Sequence, residues 1–491
     1  MIASAAAAQE VPRAVDDSLA AALRAADAAL RAGRSDEAIE GYRRAQALLG
    51  IHLTYARPDR FYYEEGAAIH RGLARAYLDA GDAHAARVEA ERGLNLDPED
   101  SRLLAALGGA LYRSGEPAAA RAALEAALAR EPDLAEAHWA LGRVEIAGNR
   151  LEPARARAGR ALELEARPRY ARDFARYSAL AGDHGSAARA LRTWERLAPA
   201  SAERDTLERL RAFYEASARE RLLRMDRPVV RAQVNFDLVP GDEVPYVPVR
   251  FADGETVYVL FDTGAGWNVI DRDFARSIGV DPIWPGASLV GALGSSPGGY
   301  GIVPRMEIGG LEIGAVPFVV GDFEALRLRG RGAYRIAAVV NPALLFRDHT
   351  VVFDYRHRRI EIHRFEPGSP GYAERATRQR KTATPFLFDA NGVWPVLLVR
   401  IDGSRELPFV LDTGASDVLI DRATASALRV SPAGIVVEVG EHLTQGIRPL
   451  LLDGRPGVLE GIEVRGILGF PFFRDKRLAF DYRSMVLTVE D

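Results

Sequence analysis

Apolar residues recur at helical spacing in the first half of the chain and at strand spacing in the second half. From about residue 16 to 225, Ala and Leu recur among Arg and Glu with the intervals of amphipathic helices. After Arg227-Pro228 this period disappears, and short runs of Val, Ile, Phe and Leu are separated by Gly, Pro and Asp-Gly turns. The pattern predicts a helical region followed by a region of many short strands.

The helical region is built from an internal repeat. The repeat is marked by five glycines, of which the last four are almost evenly spaced: Gly33, Gly81, Gly115, Gly148 and Gly182. An alanine stands at the fifth position after four of them, at Ala38, Ala86, Ala120 and Ala187. Prolines follow the same period at Pro98, Pro132 and Pro199. Each unit is therefore predicted to be a helix pair, with Gly in the turn, Ala at the close approach and Pro ending the second helix.

This block resembles the tetratricopeptide repeat (TPR) family, whose period of about 34 residues and whose Gly, Ala and Pro positions it shares. We expect five units over residues 16–225, with an insertion at residues 51–65. The fourth unit is expected to be distorted, because Pro153 replaces the alanine and Ala166 the proline. The resemblance implies an α-solenoid whose groove binds a peptide or a partner protein. The alternative is a spacer that packs on the neighbouring domain.

The strand-rich region contains a second duplication. Residues 260–265 read LFDTGA and residues 410–415 read VLDTGA, and both copies continue to an apolar pair followed by Asp-Arg. Phe-Arg-Asp and Phe-Asp-Tyr, at residues 346–348 and 353–355, recur at residues 473–475 and 480–482. Each copy predicts a buried strand, a sharp glycine turn that presents one carboxylate, and a returning strand. Two halves related by approximate twofold symmetry would bring Asp262 and Asp412 face to face.

At these residues the chain resembles the aspartic peptidases, specifically the retropepsin-like branch, because Ala265 and Ala415 complete the motif Asp-Thr-Gly-Ala in both copies. The resemblance implies a bilobal all-β fold in a single chain, with lobes at 235–363 and 385–491 joined by an exposed linker at 364–384. The whole chain is then a multidomain α + β protein. The resemblance assigns catalysis to Asp262 and Asp412. It assigns support of the catalytic loops to Thr263, Gly264, Thr413 and Gly414.

Two carboxylates about 3 Å apart cannot both ionise easily, so the pair shares one proton. The ionised member can take a proton from a water molecule while the protonated member hydrogen-bonds the substrate carbonyl. The predicted activity is that of an aspartic endopeptidase acting on an extended protein or peptide, with no metal or cofactor. Because neither motif ends in a hydroxyl residue, we expect an activity optimum less acidic than that of pepsins.

Three further residues are candidates for substrate binding. Gly266 and Ser416 follow the motif alanines, and neither is the acidic residue common in retroviral enzymes. Tyr300 lies in a glycine-rich stretch at residues 290–301, which is predicted to form a flap over the cleft or else an ordinary surface loop. Asp271 and Asp421 are interpreted as helix N-caps rather than as catalytic groups.

One departure from the aspartic peptidase pattern keeps a second function open. In such folds a glycine preceded by two apolar residues passes under the catalytic turn late in each lobe. The second lobe has Ile467-Leu468-Gly469, whereas the first has Val339-Val340-Asn341-Pro342. The alternative function is a non-catalytic interaction scaffold with a degenerate protease-like domain.

Charge and composition exclude several classes of function. The 491 residues include 64 Lys and Arg against 68 Asp and Glu, and this net charge of -4 offers no broad attraction to nucleic acid or anionic lipid. The absence of cysteine excludes disulfides, thiolate nucleophiles and Cys-ligated metal sites. No apolar run approaches the roughly 20 residues that a membrane helix needs.

The first residues give the only indication of a cellular compartment. Residues 1–15 are expected to be a disordered start or the remnant of a signal peptide. Residues 1–9 read MIASAAAAQ, which has the small residues of a signal-peptidase site without a basic region or an apolar stretch before them. A periplasmic or secreted bacterial protein and a cytoplasmic protein are both compatible with this start, and we favour export.

Overall fold

The protein is described by a computed structural model that covers residues 13–52, 60–198, 200, 203–225, 230–239, 243–252, 254, 256–291, 294–322, 336–365, 383–431, 433–454 and 461–490. Its fold is a helical region followed by a strand-rich region, as the sequence predicts. The helices of the first region are α1 (Arg13–Arg31), α2 (Ser35–His52), α3 (Arg60–Ala80), α4 (Ala83–Leu96), α5 (Ser101–Arg113), α6 (Pro117–Arg130), α7 (Ala135–Ala147), α8 (Leu151–Leu164), α9 (Pro168–Leu180), α10 (His184–Leu197) and α11 (Arg204–Ser217).

Consecutive helices pack as hairpins, in the pairs α1/α2, α3/α4, α5/α6 and α9/α10. The turns within these pairs contain the predicted glycines with φ between 71° and 83°, at Gly33, Gly81, Gly115 and Gly182. Glycine adopts this left-handed conformation without steric cost. The alanines predicted at the close approaches are fully buried, at Ala38, Ala86, Ala120 and Ala187. The predicted role of both residue types in the repeat is therefore confirmed.

The irregularities of the helical array differ from those that the sequence predicts. In the fourth turn the left-handed residue is Asn149, with φ of 56°, instead of Gly148. Pro153 lies in the first turn of α8, where its missing N–H removes no intrahelical hydrogen bond, so this helix is continuous. The predicted insertion at 51–65 is partly helical, because α2 extends to His52 and α3 begins at Arg60. Its residues 53–59 lie outside the described residues, as do residues 1–12.

The described residues of the strand-rich region form two sheets. Its strands are β1 (Arg231–Asn235), β2 (Asp237–Leu238), β3 (Pro245–Phe251), β4 (Thr256–Phe261), β5 (Val269–Asp271), β6 (Ile283–Gly291), β7 (Gly294–Ile308), β8 (Leu311–Gly321), β9 (Ile336–Val340), β10 (His349–Asp354), β11 (Arg359–Arg364), β12 (Ala383–Phe388), β13 (Pro395–Ile401), β14 (Leu407–Leu411), β15 (Leu419–Asp421), β16 (Ile435–Val439), β17 (His442–Ile447), β18 (Leu450–Leu452), β19 (Gly466–Leu468), β20 (Arg477–Asp481) and β21 (Val486–Glu490). Its short helices are α12 (Arg272–Ser277), α13 (Pro342–Leu345), α14 (Arg422–Leu428) and α15 (Phe470–Phe473).

Each lobe is built around three strands of its own, and the three are arranged in the same way in both lobes. In the first lobe, β9 lies between β4 and β5, parallel to β4 and antiparallel to β5. In the second lobe, β19 lies in the same way between β14 and β15. The lobes share one sheet, because β10 of the first pairs with β20 of the second, antiparallel from Thr350↔Asp481 to Asp354↔Arg477. This arrangement confirms the predicted bilobal β fold.

Several connecting elements were also predicted. The backbone of β6 and β7 forms a hairpin that extends from the pair Ile283↔Tyr300 to the pair Gly291↔Gly294, so the predicted flap at 290–301 covers the end of this hairpin and the part of β7 that pairs with β6. Its residues 292 and 293 lie outside the described residues, as does most of the predicted linker, 366–382. Asp271 and Asp421 cap α12 and α14 by accepting hydrogen bonds from backbone N–H groups, which confirms their predicted structural role.

Contacts divide the chain into two compact units. One comprises the described residues up to Val144 together with Ala156–Glu165 and Gly461–Glu463; the other comprises Glu145–Arg155, Ala166–Glu460 and Val464–Asp491. Helices α9 to α11 thus belong to the same unit as the strands, although the change from helix to strand lies near residue 225. Phe213 of α11 shares a buried cluster with Tyr300 and Val319 of the first lobe. Within the described residues, no helix has the length and apolarity to cross a membrane.

Ala120 and its neighbour Ala119 on α6 provide a test of the close helix packing. Ala120 is fully buried, whereas Ala119 is exposed. Ala120→Leu is expected to lower the free energy of unfolding by about 1–3 kcal/mol, because a larger side chain must displace packed neighbours. Ala119→Leu should change it by less than about 0.5 kcal/mol. Thermal unfolding followed by circular dichroism at the helical band measures both, and equal effects of the two substitutions would contradict the assigned packing.

Candidate active site

The two predicted catalytic aspartates lie at equivalent positions in the two lobes. Asp262 follows β4, and its backbone N–H donates a hydrogen bond of 2.9 Å to the carbonyl of Val340 at the end of β9. Asp412 follows β14, and its N–H donates in the same way to Leu468 at the end of β19, at 3.0 Å. Each carboxylate is therefore presented by a turn that is fixed to the central strand of its own lobe.

Thr263 and Thr413 connect the two turns through four buried hydrogen bonds. The Thr263 N–H donates to Thr413 Oγ1 at 3.1 Å, and the Thr413 N–H donates to Thr263 Oγ1 at 3.0 Å. The hydroxyls donate in turn to carbonyls of the opposite lobe, Thr263 Oγ1 to Leu411 at 2.6 Å and Thr413 Oγ1 to Phe261 at 2.7 Å. Both threonines are completely buried. The two turns are thus held together by a reciprocal network in which each hydroxyl donates and accepts.

Gly264 and Gly414 allow the carboxyl groups to approach each other. A Cβ atom on Gly264 would lie 2.4 Å from the carboxyl carbon of Asp412, and a Cβ on Gly414 would lie 2.4 Å from that of Asp262. No side chain fits at either position. The N–H of each glycine donates to the aspartate of its own turn, at 2.8 Å in both cases. The structure therefore brings all six predicted residues of the catalytic loops together.

The electrostatics of the site favour a shared proton. Burial raises the pKa of Asp412 well above the ordinary carboxyl value, and the negative charge of Asp262 and a hydrogen bond between the two side chains raise it further. The N–H groups of Gly414 and Gly264 lower the pKa, without offsetting these effects. Asp412 therefore keeps a proton to a higher pH than an ordinary aspartate does.

Tyr355 is a neighbour of the pair that sequence reasoning did not assign to the site. Burial raises its pKa well above the ordinary tyrosine value, and the charges of Asp412 and Asp262 raise it further, so the phenol stays protonated. Its ring packs on Phe473 and Phe470, with centroids 4.9 and 5.9 Å away. The sequence signal that could have identified Tyr355 is the duplicated Phe-Asp-Tyr, in which Tyr355 corresponds to Tyr482, which is also buried.

Asn341, the departure noted in the sequence, is completely buried and bonded to the first catalytic turn. Its Nδ2 donates to the carbonyl of Ala265 at 2.6 Å and to that of Thr263 at 3.3 Å. Its backbone N–H donates to Asn268 Oδ1 at 3.0 Å. The substitution of glycine by asparagine therefore adds hydrogen bonds to the turn.

The residues predicted to bind substrate differ in their exposure. Gly266 is exposed and Ser416 is partly exposed, so both are accessible beside the aspartates. Tyr300 is only 4% exposed, and its ring packs on Phe213 and Trp267. Its side chain therefore offers almost no surface to a substrate, because α11 covers it.

Two tryptophans near the first catalytic turn were not predicted from the sequence. Trp267 follows Gly266 and is 37% exposed. Trp394 comes from the second lobe, and its ring would lie 3.7 Å from a Cβ placed on Gly266. Nothing in the sequence around Trp394 indicates that it approaches the other lobe. The position of Trp267, two residues after the first motif, could have identified it as a neighbour of the catalytic turn.

Family models match both regions of the chain. Residues 247–336, which include the first Asp-Thr-Gly turn, match the model described as aspartyl protease. Residues 111–177 match the model described as tetratricopeptide repeat. The chain carries TPR repeats and an aspartyl protease domain.

Solved structures similar to this chain include TPR proteins. A thermophilic TPR protein of Thermus thermophilus is 22% identical, and the match covers 40% of this chain and 98% of that one with a TM-score of 0.32. PilF of Pseudomonas aeruginosa is 19% identical, with coverage of 42% and 89% and a TM-score of 0.31. PilW, a type IV pilus biogenesis factor, is 20% identical, with the same coverage and TM-score as PilF. No curated protein matches the sequence.

The raised pKa of Asp412 predicts how Asp412→Asn changes stability with pH. Above the pKa of the unfolded aspartate, the folded protease domain holds a proton that the unfolded chain releases, so wild-type stability falls as pH rises toward the folded pKa. Because asparagine cannot ionise, the stability of Asp412→Asn does not fall with pH for this reason. Relative to wild type, the Tm of Asp412→Asn should therefore be higher at pH 7 than at about pH 3.5. Thermal unfolding at both pH values measures this, with the exposed Asp417→Asn in the same turn as the control. A Tm difference that is independent of pH would contradict the assignment.

Proposed function

We propose that the protein is an aspartic endopeptidase in which Asp262 and Asp412 activate a water molecule to hydrolyse peptide bonds. The observation that carries this proposal is the complete loop geometry in both lobes. Two Asp-Thr-Gly turns face each other, the threonines are cross-bonded, and each glycine leaves room for the opposite carboxyl group.

The mechanism follows from the two protonation states of the pair. The ionised carboxylate takes a proton from the water as the water oxygen attacks the substrate carbonyl, while the protonated carboxyl donates a hydrogen bond to the carbonyl oxygen. The C–N bond of the resulting tetrahedral intermediate then breaks as the carboxyl that took the proton from the water passes it to the leaving nitrogen. No covalent bond forms between enzyme and substrate. The raised pKa of Asp412 keeps a proton on the pair at a pH at which an ordinary aspartate has lost its own.

The proposed substrate is an extended segment of a protein. The hairpin of β6 and β7 is the proposed flap that closes over this substrate segment. The main chain of the segment would pair with the main chain of the protein, as an added strand pairs with a sheet edge. The exposed Gly266 and the partly exposed Ser416 are the proposed contacts beside the aspartates. The TPR array is proposed to recruit a protein substrate or partner, in keeping with the common role of such repeats.

The alternative function, a scaffold with a degenerate protease domain, depended on Asn341-Pro342. Asn341 makes two hydrogen bonds to the catalytic turn, so the substitution does not leave the turn unsupported. The hydrogen bonds of Asn341 therefore favour the peptidase over the scaffold.

Activity of wild type and Asp412→Asn on an unfolded casein-like protein tests the proposal. Loss of one member of the pair is expected to lower kcat by about 10²–10⁴-fold, because the variant lacks general acid or base catalysis. Asp417→Asn, which changes an exposed residue of the same turn, should retain wild-type activity. Pepstatin should inhibit wild type. Equal activity of wild type and Asp412→Asn, or activity insensitive to pepstatin, would reject the peptidase mechanism.

The pH dependence of hydrolysis provides a separate test. Catalysis needs one proton on the pair, so the rate falls on the alkaline side as the pH passes the raised pKa of Asp412 and on the acidic side as the second carboxylate is protonated. Ala265 and Ala415 supply no hydroxyl that would stabilise the carboxylates. We therefore expect the pH–rate profile to peak above about pH 3. A maximum below this value would contradict the prediction.

A further inference from the structure

We propose that Asn341 is a positioning residue whose side-chain amide replaces a backbone N–H that the first lobe lacks. This inference rests on the proposed peptidase function, because the turn that Asn341 holds carries Asp262. Asn341-Pro342 of the first lobe occupies the position that Gly469-Phe470 occupies in the second lobe.

The second lobe supports its catalytic turn with main chain alone. The N–H of Phe470 donates a hydrogen bond of 2.9 Å to the carbonyl of Ala415, the last residue of the motif. A Cβ on Gly469 would lie 2.1 Å from the carbonyl oxygen of Asp417 and 2.6 Å from that of Ala415. No side chain fits there, so glycine is required at position 469.

The first lobe cannot repeat this arrangement. Pro342 corresponds to Phe470, and proline has no N–H to donate. The backbone also differs, since ψ is 118° at Asn341 and −162° at Gly469. The changed backbone gives room for a side chain, and Asn341 Nδ2 donates to the carbonyl of Ala265 at 2.6 Å. The same motif carbonyl is thus bonded in both lobes, by a peptide N–H in one and by a side-chain amide in the other.

The orientation of the Asn341 amide is fixed by its other contacts. Its Oδ1 accepts a hydrogen bond of 2.8 Å from the N–H of Ala343, which leaves Nδ2 to face the catalytic turn. The backbone N–H of Asn341 bonds to Asn268, which is itself buried and donates to the carbonyl of Pro317. A buried amide with both ends bonded has little freedom to turn away.

The side-chain amide of Asn341 donates hydrogen bonds to the residues on either side of Gly264, the glycine that lies against the carboxyl groups. Nδ2 reaches the carbonyls of Thr263 and Ala265, and Gly264 lies between them. The N–H of Gly264 bonds to Asp262 and also lowers the pKa of Asp412. Loss of the amide would let this peptide segment shift and misplace the carboxylates relative to the water. Because Asn341 has no surface for substrate, the loss should reduce kcat more than it raises KM.

A double-mutant cycle in the full chain tests this replacement. The proteins are wild type, Asn341→Gly, Pro342→Ala and the double variant, in which alanine restores an N–H at position 342. Asn341→Gly is expected to lower kcat by about tenfold or more, because the carbonyls of Thr263 and Ala265 lose their donor, with KM changed by less than about threefold. Pro342→Ala should remain near wild type. The double variant should recover to within about threefold of Pro342→Ala.

Asn341→Gly introduces the same glycine in both variants that carry it, and Pro342→Ala alone reports the effect of removing the proline ring, so recovery in the double variant beyond that effect reports the restored donor. The inference is overturned if Asn341→Gly is as active as wild type, or if the double variant is as impaired as Asn341→Gly. If wild type itself hydrolyses nothing, the proposed function fails and the Tm of the four proteins decides the inference. Asn341→Gly should then lower the Tm by about 2–4 °C or more, and the double variant should recover it. Absence of that recovery overturns the inference independently of activity.

Discussion

The reciprocal hydrogen bonds of Thr263 and Thr413 are the constraint on which the rest of the site depends. Each turn alone presents one carboxylate of ordinary chemistry. Because each threonine hydroxyl donates to a carbonyl of the opposite lobe and accepts an N–H of the opposite turn, separating the turns would break all four of these buried hydrogen bonds. The network therefore holds the aspartates in contact, and this contact, together with burial, raises the pKa of Asp412.

The two lobes reach this common geometry with different residues. Their central strands, turns and N-cap aspartates correspond, whereas the support beneath the turn is a glycine and a peptide N–H in one lobe and an asparagine amide in the other. In both lobes the carbonyl of the motif alanine accepts a hydrogen bond, but a different chemical group donates it in each lobe. A motif position that looks defective can therefore keep its physical role, provided that the backbone adjusts with it.

Much of this arrangement was accessible from the sequence because the chain contains the motif twice. The matched frames around Asp262 and Asp412 implied two equivalent turns and hence their meeting, and the period of the helical region predicted the buried alanines. The role of Asn341 was not accessible, because it depends on a local change of ψ. The burial of Tyr300 was also not accessible, because Phe213 covers it from a helix that lies far earlier in the chain. Such contacts are set by tertiary packing, which periodicity does not encode.

The central claim, that Asp262 and Asp412 form one electrostatically coupled pair, can be measured directly by carbon-13 NMR titration of the aspartate carboxyl groups. The account predicts that Asp412 titrates well above the ordinary aspartate pKa of about 3.9 and that Asp262→Asn moves its titration toward lower pH. The shift should be partial, because burial remains the larger cause. Titration of Asp412 at the ordinary value, unchanged by Asp262→Asn, would contradict the account.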